Sequence, residues 1–363
     1  MFAAESPSSF ARLSPLSARL LLAVAALTGV VLVGLTLSPL ERGYAGQQRI
    51  GQGDVALYCA EIDAMHSGLG YYDAAERELR ARAYPTRSVF NWRAPLPVGL
   101  TGALPAPQIA QGLLASLGFL LMLAAFELLA REAGVRTALL GAALLTGPLM
   151  FCVLGDIYCM PEIWAGVLLT LSICAYGLGQ WKGGLAAGLG AIFVRELAAP
   201  YCLLCVVLAA KERRWREVSL WLLGGLAYTA YYAWHLTNVL PRISAGDLAH
   251  QASWLQFGGA TQVIALAQVN GYLLLLPQGF AALFLTLALI GFASWSTPAG
   301  ERAGLTTSLY VVGFALVGHE FNQYWGAVFG PLLCLGAALA PRALRDLFSA
   351  VRRPSRVQAG CAG

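Results

Sequence analysis

The sequence predicts an all-α fold, a polytopic transmembrane helical bundle of about ten spans with a pair of short broken helices and a large first extracytoplasmic loop. Hydrophobic residues make up 58% of the chain and charged residues only 12%. The apolar residues gather in runs of about 20, the length that crosses the hydrocarbon core of a bilayer. The net charge of +5 falls in short basic blocks between these runs, so nucleic acid is excluded as a partner.

The apolar runs divide the chain in order. The predicted spans are 18–40, 108–130, 137–154, 160–178, two short helices within 183–210, then 218–240, 263–292, 303–318 and 325–340. The first run is a membrane span in preference to a cleaved signal peptide, because it exceeds the usual apolar length of about 7 to 15 residues and no A-x-A-like site follows. The transmembrane domain is therefore 18–340, between cytoplasmic tails at 1–17 and 341–363.

The segment 183–210 contains two charged residues, Arg195 and Glu196, near its middle and runs directly into the basic block KERRWRE at 211–217. A single long helix would place that block outside and two ionised groups near mid-bilayer, at about 2.5 to 3.5 kcal/mol each. Two short helices that meet at Arg195 and Glu196 return the block to the cytoplasm. We adopt this second interpretation, in which interrupted helices line a cavity.

With this choice both termini are cytoplasmic, and every short inside loop carries positive charge, as the orientation rule requires. The polar loop 41–106 is then extracytoplasmic. Within it, DAAERELRARA at 73–83 predicts a solvated helix with pairs of Glu and Arg four residues apart. The following segment, YPTRSVFNWRAPLP at 84–97, contains three prolines and predicts an extended lid.

The upstream part of this loop contains a stripe of mixed polarity. Asp54, Tyr58, Glu61 and Met65 lie three or four residues apart and share one face of a helix. A carboxylate on such a face, directed toward the membrane, is a candidate general base. A solvated aspartate that caps a helix after Gly53 is an equally good explanation.

Five short motifs resemble those of the GT-C superfamily of polytopic glycosyltransferases, which includes protein O-mannosyltransferases and the aminoarabinose transferases that modify lipid A. The motifs are D-x-x-x-Y with A-M-x-x-G-x-G-Y-Y (54–72), Y-P (84–85), F-N-W-R-x-P (90–95), V-R-E-L-A-x-P (194–200) and N-x-Y-W-G (322–326). Together they are spread over most of the chain, but they do not identify a subfamily.

The resemblance implies transfer of a sugar from a polyprenyl-phosphate carrier to a lipid, glycan or protein acceptor, with inversion, on the extracytoplasmic side of a bacterial inner membrane. The essential acidic residue of the family matches Asp54. The candidate substrate-binding residues are Tyr58, Arg93, Arg195, Glu196, His319, Asn322 and Tyr324. Arginine suits a departing phosphate because its planar fork contacts two oxygens at once.

Two of these candidates have a plainer explanation. Arg195 also fits an internal ion pair, with Glu196 or another carboxylate, because intramembrane charges usually pair. His319 also fits an ordinary loop residue.

The second outer loop, GDIYCMPE, supplies two candidate ligands for a divalent metal, Asp156 and Glu162, because relatives within the superfamily use acidic groups there. Helix capping explains the same two residues. No other cofactor is predicted. Cys59, Cys152 and Cys159 would all face an oxidising compartment, where disulfides persist. The sequence does not assign which two of them would pair.

The rival function is that of a membrane transporter or lipid flippase without transferase activity. Such proteins typically contain repeated bundles with matching broken helices, whereas this sequence indicates one broken pair. The sequence contains no phosphate-binding glycine loop, and its cytoplasmic loops are too short for a nucleotide-sugar domain. Neither the sugar nor the acceptor follows from the chain.

The orientation of the broken helices can be measured. Reporter fusions after residue 196 should report the outside of the membrane, and fusions after residue 214 the inside, because KERRWRE is held in the cytoplasm. An outside signal at 214 would mean that 183–210 crosses the membrane once, and every later loop would change sides.

Overall fold

The computed structural model describes residues 7–37, 53–249 and 253–353, and these form fourteen α-helices. The α-helices are α1 Pro15–Leu37, α2 Asp54–His66, α3 Tyr71–Ala81, α4 Pro95–Ala103, α5 Pro107–Ala133, α6 Val135–Leu149, α7 Pro161–Gly177, α8 Trp181–Val194, α9 Ala199–Lys211, α10 Trp215–Val239, α11 Gly259–Ala267, α12 Gln278–Ala293, α13 Pro298–Leu316 and α14 Gly330–Val351. Short 3₁₀ helices are Ser9–Arg12, Val89–Asn91, Met150–Cys152, Gly155–Cys159, Glu196–Ala198, Leu240–Arg242, Leu273–Leu275 and Glu320–Val328. β-pairing within the described ranges is limited to one bridge, between Leu255 and Val317. The predicted all-α class is confirmed.

Three helical segments in the described part of the chain are long and apolar enough to cross a membrane: Pro15–Leu37, Pro107–Ala133 and Val135–Cys152. A fourth candidate is the bent pair Glu320–Val328 and Gly330–Val351, whose axes differ by 68°. The first segment exposes most of its large aliphatic side chains, for example Val30 at 70%. A soluble surface rarely presents so large an apolar patch, so these helices indicate a membrane environment.

The predicted break at Arg195 is present. α8 ends at Val194, Arg195 is extended with φ −150° and ψ 121°, and the 3₁₀ turn Glu196–Ala198 leads into α9. Pro200 lies in the first turn of α9, where its missing N–H removes no helical hydrogen bond. The segment 183–210 therefore consists of two short helices, as the position of the charges predicted.

The predicted continuous span 263–292 is wrong, because two helices, α11 and α12, occupy it. The chain between them carries Asn270, whose side-chain Oδ1 accepts a hydrogen bond of 2.9 Å from the Tyr272 backbone N–H. Pro277 then precedes α12 as its N-cap residue. An amide that bonds the local backbone competes with helix formation, and the proline prevents α11 from continuing.

Parts of both predicted tails are helical and pack together. α14 continues to Val351, beyond the predicted end of the last span at 340. Phe10, in the 3₁₀ helix Ser9–Arg12, is buried against Ala343 and Leu347 of α14. The Ser8 backbone N–H also donates to Asp346 Oδ2 at 2.6 Å. An apolar side chain within a polar segment therefore fixes the start of the described chain to its end.

The predicted solvated helix in the first loop is observed as α3. Its pairs four residues apart are present, with Arg80 Nε 3.2 Å from Glu76 and Arg82 Nε 3.5 Å from Glu78. Arg80 also pairs with Asp247, at 2.8 Å, on the segment that follows α10. α3 therefore ties the first loop to the segment that follows α10.

Glycines allow the segment 320–328 to pack closely between α7 and α11. A Cβ atom at Gly166 of α7 would overlap the Ala327 carbonyl oxygen, and one at Gly326 would overlap the Leu266 carbonyl oxygen of α11. Backbone atoms cannot rotate away as a flexible side chain can. Gly166 therefore allows the 320–328 segment to approach α7 closely, and Gly326 allows it to approach α11.

We expect Gly166→Ala to lower the apparent melting midpoint of the detergent-purified protein by about 5 °C or more, because the added methyl meets fixed backbone. The matched control is Gly313→Ala in α13, where a Cβ atom meets nothing within 4 Å and helix propensity favours alanine. Thermal unfolding followed by circular dichroism measures both variants. Equal midpoints for the two would contradict the close packing at Gly166.

Candidate functional site

The site begins at the first residue of α2. Gly53 has a φ of 93°, a conformation that glycine adopts without the strain that a Cβ atom brings. Asp54 follows in the first turn of α2, where the helix dipole favours a negative charge. Its side chain is 19% exposed, so the carboxylate is neither fully solvated nor fully buried.

Asp54 opens onto a cavity of about 600 Å³, within the range of small-molecule sites. The start of α2, the segment that follows α3, the residue before α7 and two later loops form its wall. The lining residues are Gly53, Asp54, Val55, Leu57, Tyr58, Tyr84, Pro85, Asn91, Arg93, Met160, Trp254, Phe321, Asn322, Gln323 and Tyr324. Five of the eight predicted catalytic or substrate-binding residues are therefore brought together: Asp54, Tyr58, Arg93, Asn322 and Tyr324.

Two groups hold the Asp54 carboxylate. The Tyr84 hydroxyl donates a hydrogen bond of 2.8 Å to Oδ1, and Arg93 Nη2 lies 4.0 Å from Oδ2. Tyr84 is placed by the end of α3, where Ala83 is left-handed (φ 55°) and the Tyr84 N–H bonds the Leu79 carbonyl at 2.9 Å. A neutral donor therefore orients one oxygen of Asp54, and the Arg93 guanidinium faces the other oxygen from 4.0 Å.

The Arg93 guanidinium is the centre of the hydrogen-bond network. Nε donates to the Tyr58 hydroxyl at 2.7 Å, Nη2 to the Tyr324 hydroxyl at 3.2 Å and Nη1 to the Phe90 carbonyl at 3.0 Å. The Arg93 carbonyl accepts from the Tyr71 hydroxyl at 2.7 Å. A guanidinium has five N–H groups, so this network leaves two of them for a ligand in the cavity.

The phenols around Arg93 stay neutral. Burial raises the pKa of Tyr58 well above its ordinary value, and a phenol such as that of Tyr324 is already neutral at pH 7. Neither hydroxyl therefore ionises near pH 7, and both accept hydrogen bonds from the guanidinium without cancelling its charge.

The predicted extended lid at 84–97 contains helical structure instead. A 3₁₀ turn spans Val89–Asn91, and α4 starts at Pro95, since proline is well suited to the first position of a helix. Trp92 is buried, and its Nε1 donates to the Thr86 carbonyl at 2.9 Å. The Trp92 carbonyl contacts His235 Nε2 at 3.1 Å. These bonds fix the segment that presents Arg93.

The segment 319–324 brings a second set of polar groups. Asn322 is buried, its Oδ1 accepts from the His319 backbone N–H at 2.8 Å, and its Nδ2 donates to the Tyr324 hydroxyl at 3.3 Å. The His319 ring stacks on Phe321 and meets the edge of Trp254, both at centroid distances of 5.0 Å. His319 therefore supports the wall without lining the cavity, which fits the alternative of a loop residue.

Arg195 and Glu162 form a buried ion pair. They are 1% and 0% exposed, and Arg195 Nε lies 2.7 Å from Glu162 Oε1. Both Glu162 oxygens lack a hydrogen bond of good geometry within the described residues, so the attraction is Coulombic. Arg195 also pairs with Glu196. None of these three residues lines the cavity, and Arg195 takes the alternative predicted for it, an internal ion pair.

The two metal candidates have different surroundings. Glu162 is fully buried against Arg195, whereas Asp156 is exposed in the 3₁₀ helix Gly155–Cys159. Among the described residues, no three His, Cys, Asp or Glu side chains form a group that could hold a metal ion. Hard cations prefer several oxygen ligands, so the described side chains do not fit a metal site.

Tyr84 and Trp254 line the cavity although the sequence did not assign them to the site, and Glu61 is buried near it on α2. Tyr84 begins the Y-P motif, so a sequence pattern was present that could have placed it in the site. No such pattern marks Trp254, because a single aromatic residue in a loop gives no periodicity. Glu61 was part of the α2 stripe and is now 2% exposed, with no hydrogen-bond partner for Oε2 among the described residues. Burial raises the pKa of Glu61 to about 8, and Arg93 only partly opposes this shift.

The chain matches no protein-family model, no curated protein and no solved structure. The GT-C superfamily therefore remains an expectation from the sequence motifs alone, and a role for the cavity must be argued from the chemistry of the residues that line it.

Glu61 makes the stability of the fold depend on pH. Its folded pKa of about 8 lies above its ordinary value of 4.5, so the unfolded chain loses this proton at a lower pH than the folded chain. Stability should therefore fall by about 1.4 kcal/mol per pH unit as pH rises from 4.5 to about 8, and this contribution should level off above 8.

Glu61→Gln should remove this contribution, because the amide does not titrate. We expect the apparent melting midpoint of the variant in detergent to fall less steeply with pH across that window than that of the parent chain. Asp63→Asn, an exposed change on the same helix, should keep the parent slope. If Glu61→Gln and the parent chain show the same pH profile, Glu61 is not the buried acid described.

Proposed function

We propose that the protein is a GT-C-like membrane glycosyltransferase that moves a sugar from a polyprenyl-phosphate carrier to an acceptor on the extracytoplasmic face of a bacterial inner membrane, with inversion. The observation that carries the proposal is the carboxylate of Asp54 and the guanidinium of Arg93 facing one open cavity. Inverting transfer needs a base for the acceptor hydroxyl and a cation for the departing phosphate.

Arg93 is the proposed phosphate ligand. Its three hydrogen bonds to Tyr58, Phe90 and Tyr324 orient the guanidinium toward the cavity in this structure. Two N–H groups remain, enough for bidentate contact with a phosphate. Because the bonded partners are neutral oxygens, the positive charge stays available to stabilise the phosphate as the bond to the sugar breaks.

Asp54 is the proposed general base. The hydrogen bond from Tyr84 fixes Oδ1, so the second oxygen can accept the proton of an acceptor hydroxyl while that hydroxyl attacks the anomeric carbon. The acceptor oxygen then forms the new glycosidic bond, and the carrier phosphate leaves with the electron pair of the broken bond.

Inversion places the base and the leaving group on opposite sides of the sugar. The present separation of 4.0 Å between Asp54 Oδ2 and Arg93 Nη2 is too short to hold a sugar ring between them. In the proposed complex the phosphate therefore draws Arg93 away from Asp54. An ion pair this long is weak when partly solvated, so little stability is lost when it opens.

The proposed setting is a bundle of about ten spans whose outer loops form the cavity. α7, α8 and α12 are apolar but have 17, 14 and 16 residues, shorter than the roughly 20 that cross a full bilayer. A locally thinned membrane accommodates short helices and would bring a lipid-linked phosphate to the level of Arg93. Lipids of the membrane are thus the other proposed partner.

We predict that Asp54→Asn inserts and purifies normally, still binds polyprenyl-phosphate sugar and transfers it at no more than about a hundredth of the parent rate. The amide keeps the size and polarity of the side chain and still accepts from Tyr84 but cannot take a proton. A radiolabelled donor measures binding by filtration and transfer by product extraction.

Asp63→Asn is the matched control, because Asp63 lies on the exposed side of α2, and it should transfer nearly as fast as the parent chain. A dead Asp63→Asn beside an active Asp54→Asn would refute the catalytic assignment. If the donor lipid changes sides of a vesicle equally well with the parent chain and with Asp54→Asn, and neither protein transfers sugar, the result would instead favour the flippase alternative.

A further inference from the structure

Two cysteine thiols from separate outer loops lie in contact beside the cavity. Cys59 is on α2, and Cys159 is the last residue of the 3₁₀ helix Gly155–Cys159, a hundred residues later in the chain. Their Sγ atoms are 3.7 Å apart, about the contact distance of two unbonded sulfurs. Cys159 Sγ also lies 3.7 Å from the Val55 carbonyl, one turn before Cys59. Both thiols are free in this structure.

We propose that Cys59 and Cys159 form a disulfide that ties α2 to the second outer loop. A covalent S–S bond is about 2.05 Å long. The two Sγ atoms, now 3.7 Å apart, therefore need only a small movement to bond. The proposed topology places both loops in the oxidising space outside the cytoplasm, where disulfides persist. This inference does not depend on the transferase reaction.

The third candidate thiol faces elsewhere. Cys152 is buried at 1% exposure, and a Cβ atom built at Gly118 of α5 would lie 3.4 Å from its Sγ. Its sulfur therefore packs against α5. The pairing that the sequence left open among the three cysteines is resolved by this geometry in favour of Cys59 with Cys159.

Cys59 is the thiol suited to react first. It is half-buried, whereas Cys159 is buried at 4% exposure. The adjacent Cys159 thiol lowers the pKa of Cys59, which increases the fraction of thiolate, the nucleophilic form.

The oxidant is a disulfide compound, such as a thiol–disulfide oxidoreductase or a small-molecule disulfide. The Cys59 thiolate attacks one sulfur of the oxidant, forms a mixed disulfide and expels the first thiol of the oxidant. Cys159 then loses its proton and attacks the Cys59 sulfur, which expels the second thiol. Two protein thiols are oxidised, and one disulfide is reduced to two thiols.

The bond would join two walls of the cavity. Tyr58, which holds Arg93, precedes Cys59 directly, and Met160, a lining residue from the second loop, follows Cys159 directly. A covalent link at this point fixes the start of α2 relative to α7. It also closes a long loop of the chain, which limits the conformations of the unfolded state.

The test uses the full-length chain in its membrane. Cells are quenched in acid, free thiols are blocked with N-ethylmaleimide, and the unreduced protein is digested and mapped by mass spectrometry. The expected result is a linked peptide pair that contains Cys59 and Cys159, with Cys152 alkylated after denaturation. Alkylation of both Cys59 and Cys159, or a link that includes Cys152, would overturn the proposal.

A second measurement separates the bond from simple proximity. Dithiothreitol should lower the apparent melting midpoint of the purified parent chain and of Cys152→Ser by several degrees, and oxidised glutathione should restore it. Cys59→Ser and Cys159→Ser should show no response, and Cys59→Ala replaces Cys59→Ser if the serine variant does not insert. A response of the same size in the Cys59 variant would count against the proposal. No sugar transfer enters either readout, so failure here is distinct from failure of the proposed function.

Discussion

The arrangement of the helices around the candidate site depends on one buried ion pair, between Glu162 in the first turn of α7 and Arg195 at the break after α8. Two charges at 0% and 1% exposure are tolerated only when each stabilises the other, and removal of one partner from such a pair typically costs about 3–5 kcal/mol. The pair therefore fixes the junction of α8 and α9 against the start of α7. Arg93 also lies within electrostatic range of Glu162 and of Glu196, so the buried pair and the cavity share one electrostatic environment.

The sequence predicted the fold well where charged residues interrupt an apolar run. The break at Arg195 is the clearest case, because ionised residues in an apolar run leave few conformations that return KERRWRE to the cytoplasm. The interruption between α11 and α12 was missed because Asn270 is a neutral amide within an otherwise apolar run, and its effect comes from a bond to its own local backbone. The contact of Phe10 with Leu347 was also missed. It joins residues at opposite ends of the chain, which local patterns do not encode.

The sequence predicted which residues belong to the candidate site better than it predicted where each of them lies in it. Residues on outer loops were expected to meet at one membrane face, and Asp54, Arg93 and Tyr324 do lie together. A predicted membrane topology gives the side of the membrane on which a residue lies. It gives neither the depth of that residue nor the direction of its side chain. Arg195 reaches the same part of the bundle but points into the interior, where a carboxylate of α7 meets it. Hydrogen bonds that depend on chain reversal, such as that from Tyr84 to Asp54, follow from the left-handed turn at Ala83, and the sequence at 82–84 contains no glycine to signal it.

The chemical nature of the groups around Asp54 also bears on its proposed role. A carboxylate locked to an arginine by two short bonds would be a poor base, because its negative charge would be fully compensated. Here a neutral phenol makes the short bond, 2.8 Å long, and the guanidinium stays 4.0 Å away while the phenols of Tyr58 and Tyr324 hold it. The neutral partners thus orient both ions without neutralising either. When an anionic phosphate enters the cavity, it gains more from Arg93 than the long contact with Asp54 provides. Binding of the donor would then release the carboxylate to act as a base, in the complex where a base is needed.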